Sequence, residues 1–151
     1  MMREDDRLFT NVSFELDGRR AELDSVIVNK YGVFIIEVKN YRGTLVGAEA
    51  DFEWQKYKTT PAGNVYYKSV KNPIRQVKRQ VYLLARFLDK NGEKVWVRGY
   101  ALLVGGNAPF DSEYLLGNAE EIDRAIHTPD RKPLDKVSIE RIAELMALFC
   151  G

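Results

Sequence analysis

Two runs of strand-forming residues, Leu23 to Val28 and Val33 to Lys39, stand either side of Asn29-Lys30-Tyr31-Gly32, a short loop closed by glycine. A hairpin folded there pairs Val28 with Val33 and, further along, Asp24 with Glu37. In that register one face carries Val26, Val28, Val33 and Ile35, with Asp24, Glu37 and Lys39 at its end. The other carries Leu23, Ile27, Phe34, Ile36 and Val38. Both faces are apolar, so the pair needs cover on two sides, and a sheet with one wet face is excluded. The expected fold is therefore mixed α/β, a central mixed sheet flanked by helices.

The rest of the chain supplies the parts. Val12 to Leu16 reads as a strand ended by Asp17-Gly18, and Gly43 to Val46, Phe52 to Lys58 and Val65 to Tyr67 read as three more around a turn from Pro61 to Asn64. Asn72-Pro73 is an N-cap followed by proline at the first helical position, and Ile74, Val77, Val81, Leu84 and Leu88 then recur at helical spacing up to Asn91-Gly92. Lys94 to Val104 is expected as a buried strand closed by Gly105-Gly106-Asn107. Helices are expected around Glu120 to Ile126 and from Ser138 to Phe149, the second with Ser138 and Arg141 as an imperfect capping box. Its apolar stripe is Ile139, Ile142, Leu145, Met146 and Phe149.

A length of 151 residues suits one domain over 1–151, since two halves would each lack a core. The lone cysteine, Cys150, closes no internal disulfide and builds no thiolate zinc cage, which points to a reducing compartment and the cytoplasm. No apolar run approaches the ~20 residues of a membrane helix, so no membrane partner is expected. His127 is the only histidine, which excludes two-histidine metal sites; it is expected as a loop residue near Pro129. Trp54 and Trp96 are expected in the core.

The net charge of +1 argues against a nucleic-acid partner, but its distribution argues for one. From Trp54 to Arg86 there is no Asp or Glu, while Lys56, Lys58, Lys68, Lys71, Arg75, Lys78, Arg79 and Arg86 alternate with Tyr57, Tyr66, Tyr67 and Tyr82. Cations interleaved with aromatic rings suit a surface that holds phosphates and stacks bases. The plainer reading is a solvated helix face and hairpin.

Asp24 and Glu37 on neighbouring strands would repel unless a divalent cation lay between them, and carboxylate oxygens suit Mg²⁺ or Mn²⁺. The Val38 carbonyl offers a further ligand. Lys39, two residues on, projects from the same face as Glu37. A Lewis acid, an activated water and a fixed positive charge are what phosphodiester hydrolysis needs. An isolated acidic-x-Lys is more often a salt bridge, but this one ends a buried strand in register with Asp24 and precedes a basic block.

The stretches Glu22-Leu23-Asp24-Ser25-Val26-Ile27-Val28, Gly32-Val33-Phe34-Ile35-Ile36-Glu37-Val38-Lys39-Asn40-Tyr41-Arg42-Gly43 and Asn72-Pro73-Ile74-Arg75-Gln76 resemble the nuclease-related domain (NERD), a branch of the PD-(D/E)XK nuclease superfamily. The resemblance runs from about Asn11 to the C-terminus. It implies a restriction-endonuclease-like core, Asp24 and Glu37 as metal ligands, Lys39 as the catalytic lysine and Gln76 as a helix-borne polar residue facing the site. Gln76 also lies in the first turn of its helix, where anions are favoured. Such domains usually begin with a helix bearing a glutamate, whereas only Met1 to Arg7 precede the first strand region here. Glu4, Asp5 and Asp6 are the acidic residues available there; otherwise the helix is missing from this domain, or a further segment or a second copy in a homodimer supplies it. The function implied is Mg²⁺-dependent hydrolysis of DNA. The alternatives are a non-catalytic nucleic-acid-binding module and a protein-binding domain.

Overall fold

The hairpin closes in the expected register, with Val28 opposite Val33, Ile27 opposite Phe34 and Val26 opposite Ile35. The computed structural model describes residues 2–151. Strands β1 (Arg7–Leu16), β2 (Arg19–Asn29) and β3 (Gly32–Lys39) form an antiparallel meander. Then come β4 (Gly43–Val46), β5 (Glu53–Thr59), β6 (Val65–Lys71), helix α1 (Pro73–Lys90) and β7 (Val97–Leu103), which lies parallel to β3. Two short strands, β8 (Gly106–Asn107) and β9 (Leu115–Leu116), and helices α2 (Ala119–Ile126) and α3 (Lys136–Phe149) complete the order. The strands make two mixed sheets, β1-β2-β3-β7-β9 and β6-β5-β4-β8.

Both faces of the larger sheet are covered, as its two apolar faces require. On one side Val26, Val28, Val33 and Ile35 pack with Leu83, Leu84 and Leu88 of α1 and Ile142 and Met146 of α3. On the other, Ile27, Phe34 and Ile36 pack with Ile122 and Ile126 of α2. A third cluster of Leu45, Trp54, Ile74 and Leu103 joins the second sheet to the start of α1. Helix α1 opens as its sequence directs: Asn72 is the N-cap, accepting from the Ile74 N–H at 2.9 Å, and Pro73 follows. Gly99 of β7 lets this helix lie close, since a Cβ there would stand 2.7 Å from Val77 Cγ1 and from Val81 Cγ2.

Leu23 departs from the expected alternation. It packs with Val26 and Val28 rather than with Ile27 and Phe34, so the backbone of β2 turns over between Leu23 and Val26. Strand β1 does the same: Val12 and Phe14 share that cluster with Phe9, and Asn11 between them has φ 51°. Asparagine tolerates this left-handed conformation. Both strands slip by one residue at the same place, so Thr10 still faces Ser25 and Val12 still faces Leu23.

Trp96 is 52% exposed rather than in the core. Strand β7 begins at Val97, not Lys94, which leaves Trp96 on the rim of the sheet, its ring covered by the Arg131 guanidinium at 3.6 Å. Helix α3 starts at Lys136 with Asp135 as N-cap, accepting from the Ser138 N–H at 2.7 Å, so Ser138 lies inside the first turn and caps nothing. Strand β1 begins at Arg7, five residues before the expected start, and β6 continues to Lys71. No described helix is long and apolar enough to cross a membrane.

Candidate active site

Glu37 lies at the C-terminal end of β3 and is 5% exposed. Gln76 and Gln80, four residues apart on α1, share one face of the helix and both reach it. Gln76 Nε2 donates to Glu37 Oε1 and Gln80 Nε2 to Glu37 Oε2, each at 3.2 Å. Lys39 Nζ stands 3.4 Å from Oε1. Burying a carboxylate is unfavourable unless donors replace its water, and these three donors do so. Gln80 Nε2 also donates to the Glu22 carbonyl at 3.3 Å, which ties the helix to β2.

Sequence reasoning pointed to Gln76 but not to Gln80, which is 4% exposed. The signal lay in the helix periodicity. The buried row of α1 runs through Ile74, Val77, Gln80 and Leu84, whereas Val81, assigned to the stripe, is only half-buried. A glutamine on an apolar stripe marks a polar partner underneath. Gln76 Oε1 and Gln80 Oε1 are buried and have no hydrogen-bond partner among the described residues.

Asp24 is exposed and does not lie against Glu37 as a second buried carboxylate. The β2–β3 ladder stops at Ser25 opposite Ile36, one pair short of Asp24 and Glu37. There Asp24 Oδ2 accepts from the Val38 N–H at 3.2 Å, taking the place of a strand carbonyl. In a strand a residue's N–H and C=O project from the same edge, so the Val38 carbonyl shares the edge that Asp24 occupies. Tyr41 closes the site from the loop after β3. Its hydroxyl donates to the Lys71 carbonyl at 3.0 Å, and burial, followed by the charge of Glu37, holds its pKa above the ordinary tyrosine value.

The groups that could hold a cation here are oxygens: the Glu37 carboxylate, the Asp24 carboxylate on the adjacent strand and the Val38 carbonyl. Asp24 and Glu37 outweigh Lys39, leaving a net negative charge that favours a cation. Hard oxygen donors of this kind suit Mg²⁺ or Mn²⁺, which bind through one or two carboxylates and keep several waters. No cluster of three or more histidine, cysteine, aspartate or glutamate side chains suited to a metal occurs among the described residues.

The family model of the nuclease-related domain matches residues 1–104. The chain belongs to this family. Neither a curated protein nor a solved structure matches it. The matched part of this nuclease-related domain contains Asp24, Glu37, Lys39, Gln76 and the whole basic block, and ends just beyond β7.

Within the nuclease-related domain the basic block falls on three successive elements. Lys56 and Lys58 lie on β5, Lys68 and Lys71 on β6, and Arg75, Lys78 and Arg79 on the exposed side of α1. Lys78 is 4.0 Å from Glu49, and Arg86 is 3.5 Å from Asp17. The Arg75 guanidinium lies 4.0 Å above the Phe52 ring. Trp54, beside the block in sequence, is fully buried and offers no face for a base.

The acidic residues before β1 do not complete the site. Glu4 and Asp5 are exposed in a turn, and Asp6 lies beside Asn29 at the C-terminal end of β2, away from Asp24 in the middle of that strand. Asp6 Oδ2 is 2.8 Å from His127 Nε2, while His127 Nδ1 is 2.9 Å from Asp123 Oδ1. Against the desolvation that burial imposes, the Arg3 N–H, the Asn29 amide and the His127 ring hold the Asp6 carboxyl below its ordinary pKa. His127 is thus not a plain loop residue. It is the C-cap of α2, its side chain is buried, and it fastens that helix to the start of β1. Cys150 is exposed, and its backbone pairs with Val12 at the edge of the sheet.

Proposed function

We propose that this nuclease-related domain hydrolyses DNA phosphodiester bonds with the help of Mg²⁺ or Mn²⁺. The observation that carries the reading is the buried Glu37 carboxylate, held by Lys39, Gln76 and Gln80 on the strand whose edge Asp24 caps at Val38. The three donors offset the cost of burying the carboxylate, and placing so costly a group at the end of a strand, oriented by two helix-borne amides and a lysine, is the kind of arrangement that reaction centres use.

Asp24 and Glu37, with the Val38 carbonyl, would hold the cation. Bound there, it would supply Lewis acidity and lower the pKa of a water it holds. Gln76 and Gln80 fix the Glu37 carboxylate from above, so that its orientation is set before substrate arrives. Lys39 uses part of its ammonium on Glu37 and has further N–H donors for a phosphoryl oxygen, where negative charge grows as water attacks phosphorus. The P–O bond to the leaving oxygen breaks, giving a phosphate on one fragment and a hydroxyl on the other. The lysines of the β5–β6 hairpin, with Arg75 and Arg79, bind the flanking phosphates. The single cysteine fits a cytoplasmic setting.

A plasmid-nicking assay in Mg²⁺, Mn²⁺ and EDTA tests this. Cleavage that needs metal and falls by orders of magnitude in Lys39→Ala, with DNA binding kept, is the expected result. A second reading, a nucleic-acid-binding module without turnover, is favoured by the lack, among the described residues, of a cluster of three metal-suited side chains. It predicts salt-dependent binding and no cleavage in any metal.

A further inference from the structure

Apart from Trp54, no residue of β5 or β6 is buried. The hairpin forms the edge of the β6-β5-β4-β8 sheet and is anchored to the core through Trp54, and beyond that anchor it displays side chains that water does not favour. Tyr66 is 61% and Tyr67 72% exposed. Strand alternation puts them on opposite faces of the ribbon.

The register makes the two faces chemically different. One carries Lys56 and Lys58 on β5 with Tyr66 and Lys68 on β6, and Lys56 stands directly opposite Lys68. Like charges so placed repel, and among the described residues neither lysine has a carboxylate partner. The other face carries Tyr57 opposite Tyr67, their ring centroids 5.9 Å apart. The outer part of one face, beyond buried Trp54 and the Val70 opposite it, thus asks for negative charge, and each face offers a flat apolar ring. Duplex DNA answers only the first demand, because its bases are stacked on one another. An unpaired strand answers both, with phosphates for the lysines and free base faces for the rings.

We propose that the β5–β6 hairpin is a stacking platform for unpaired nucleotides, so that the substrate carries a single-stranded segment beside the bond to be cut. This rests on the nuclease reading above. The ribbon enters the site directly: the Lys71 carbonyl at its base accepts from Tyr41, and Asn72 then caps the helix that brings Gln76 to Glu37.

Fluorescence anisotropy in EDTA, where no cleavage occurs, tests the platform with three labelled DNA probes: a single strand, a blunt duplex, and a duplex with a single-stranded overhang. The wild-type chain binds the first and third more tightly than the second. Tyr66→Ala and Tyr67→Ala each weaken those two by about 5- to 150-fold, the range for losing one stacked base, and leave the blunt duplex unchanged. Tyr67→Phe keeps wild-type affinity, and Lys56→Ala weakens all three probes. Both tyrosines are exposed, so circular dichroism of the variants should match wild type. Equal affinity for the three probes, with no effect of the tyrosine variants, overturns the platform and leaves the nuclease reading standing. Binding to none of the probes overturns both.

Discussion

Replacing Glu37 by Gln keeps the shape of the side chain and removes its charge, which separates what the carboxylate does for the fold from what it does for a cation. In the wild type three donors converge on the two oxygens. In the variant one oxygen becomes an NH₂. If the remaining oxygen stays with Gln76 and Lys39, the new NH₂ meets Gln80 Nε2, donor against donor. Gln80 relieves this by turning its amide over and offering Oε1, which has no partner in the wild type, at the loss of its bond to the Glu22 carbonyl. Hydrogen bonds to a charged group contribute ~1.5–3 kcal/mol and neutral ones ~0.5–1.5. Lys39 is partly solvated, so its loss is cushioned. The expected destabilisation is ~2 kcal/mol, or a fall of about 4–8 °C in Tm for a chain of this size. Urea unfolding followed by circular dichroism measures it, and a change below ~0.5 kcal/mol would refute a buried charged carboxylate at this position. The same melts with added Mg²⁺ test the cation. At tenfold its Kd a bound ion adds ~1.4 kcal/mol to the wild type, and the variant should gain far less. Equal gains would move the cation site elsewhere.

Lys39→Ala should leave DNA affinity near wild type while cleavage falls at least about a hundredfold, because Lys39 acts on charge that develops in the transition state; equal losses in a binding and a cleavage assay would make it an anchor instead. Arg75 and Arg79, four apart on one face of α1, should each neutralise a phosphate, so that replacing both with Ala makes the slope of log affinity against log salt shallower by up to ~1.8 for every duplex sequence. An unchanged slope returns them to the solvated face. The lowered pKa of Asp6 means that its pairing stabilises the fold above its unfolded value near 3.8, and that this stability is lost as pH falls through the lower folded value. Asp6→Asn should therefore be less stable at neutral pH and lose less on acidification below about pH 4, as read from urea midpoints. Gly99→Ala should lower stability by ~1–3 kcal/mol by overpacking against Val77 and Val81, and adding Val77→Ala should restore part of it in thermal melts.

The register around Glu37 was legible because a short loop leaves a hairpin little choice, and two apolar faces demand helices on both sides. Periodicity also placed α1, since Asn72-Pro73 fixes its start. What the sequence did not reveal are places where side chains compete with the backbone. Asp24 was expected to face Glu37 through an unbroken ladder. In fact Asn11 on the facing strand adopts a positive φ, both strands turn over, and the Asp24 carboxylate takes the Val38 N–H that a strand carbonyl would have taken. Nothing in the alternation of Leu23 to Val28 announces that step, because a paired slip leaves the register unchanged. Trp96 was misplaced for a related reason, since a large aromatic predicts burial only where a layer exists to bury it. Gln80 is the opposite case, a polar residue on the buried row that a search for apolar periodicity passes over. Asp24 and Gln80 together change the picture of the site. An expected carboxylate pair became a buried glutamate held from the helix and an exposed aspartate held by the strand edge. One carboxylate is thereby fixed by the fold, and the other stays exposed to solvent.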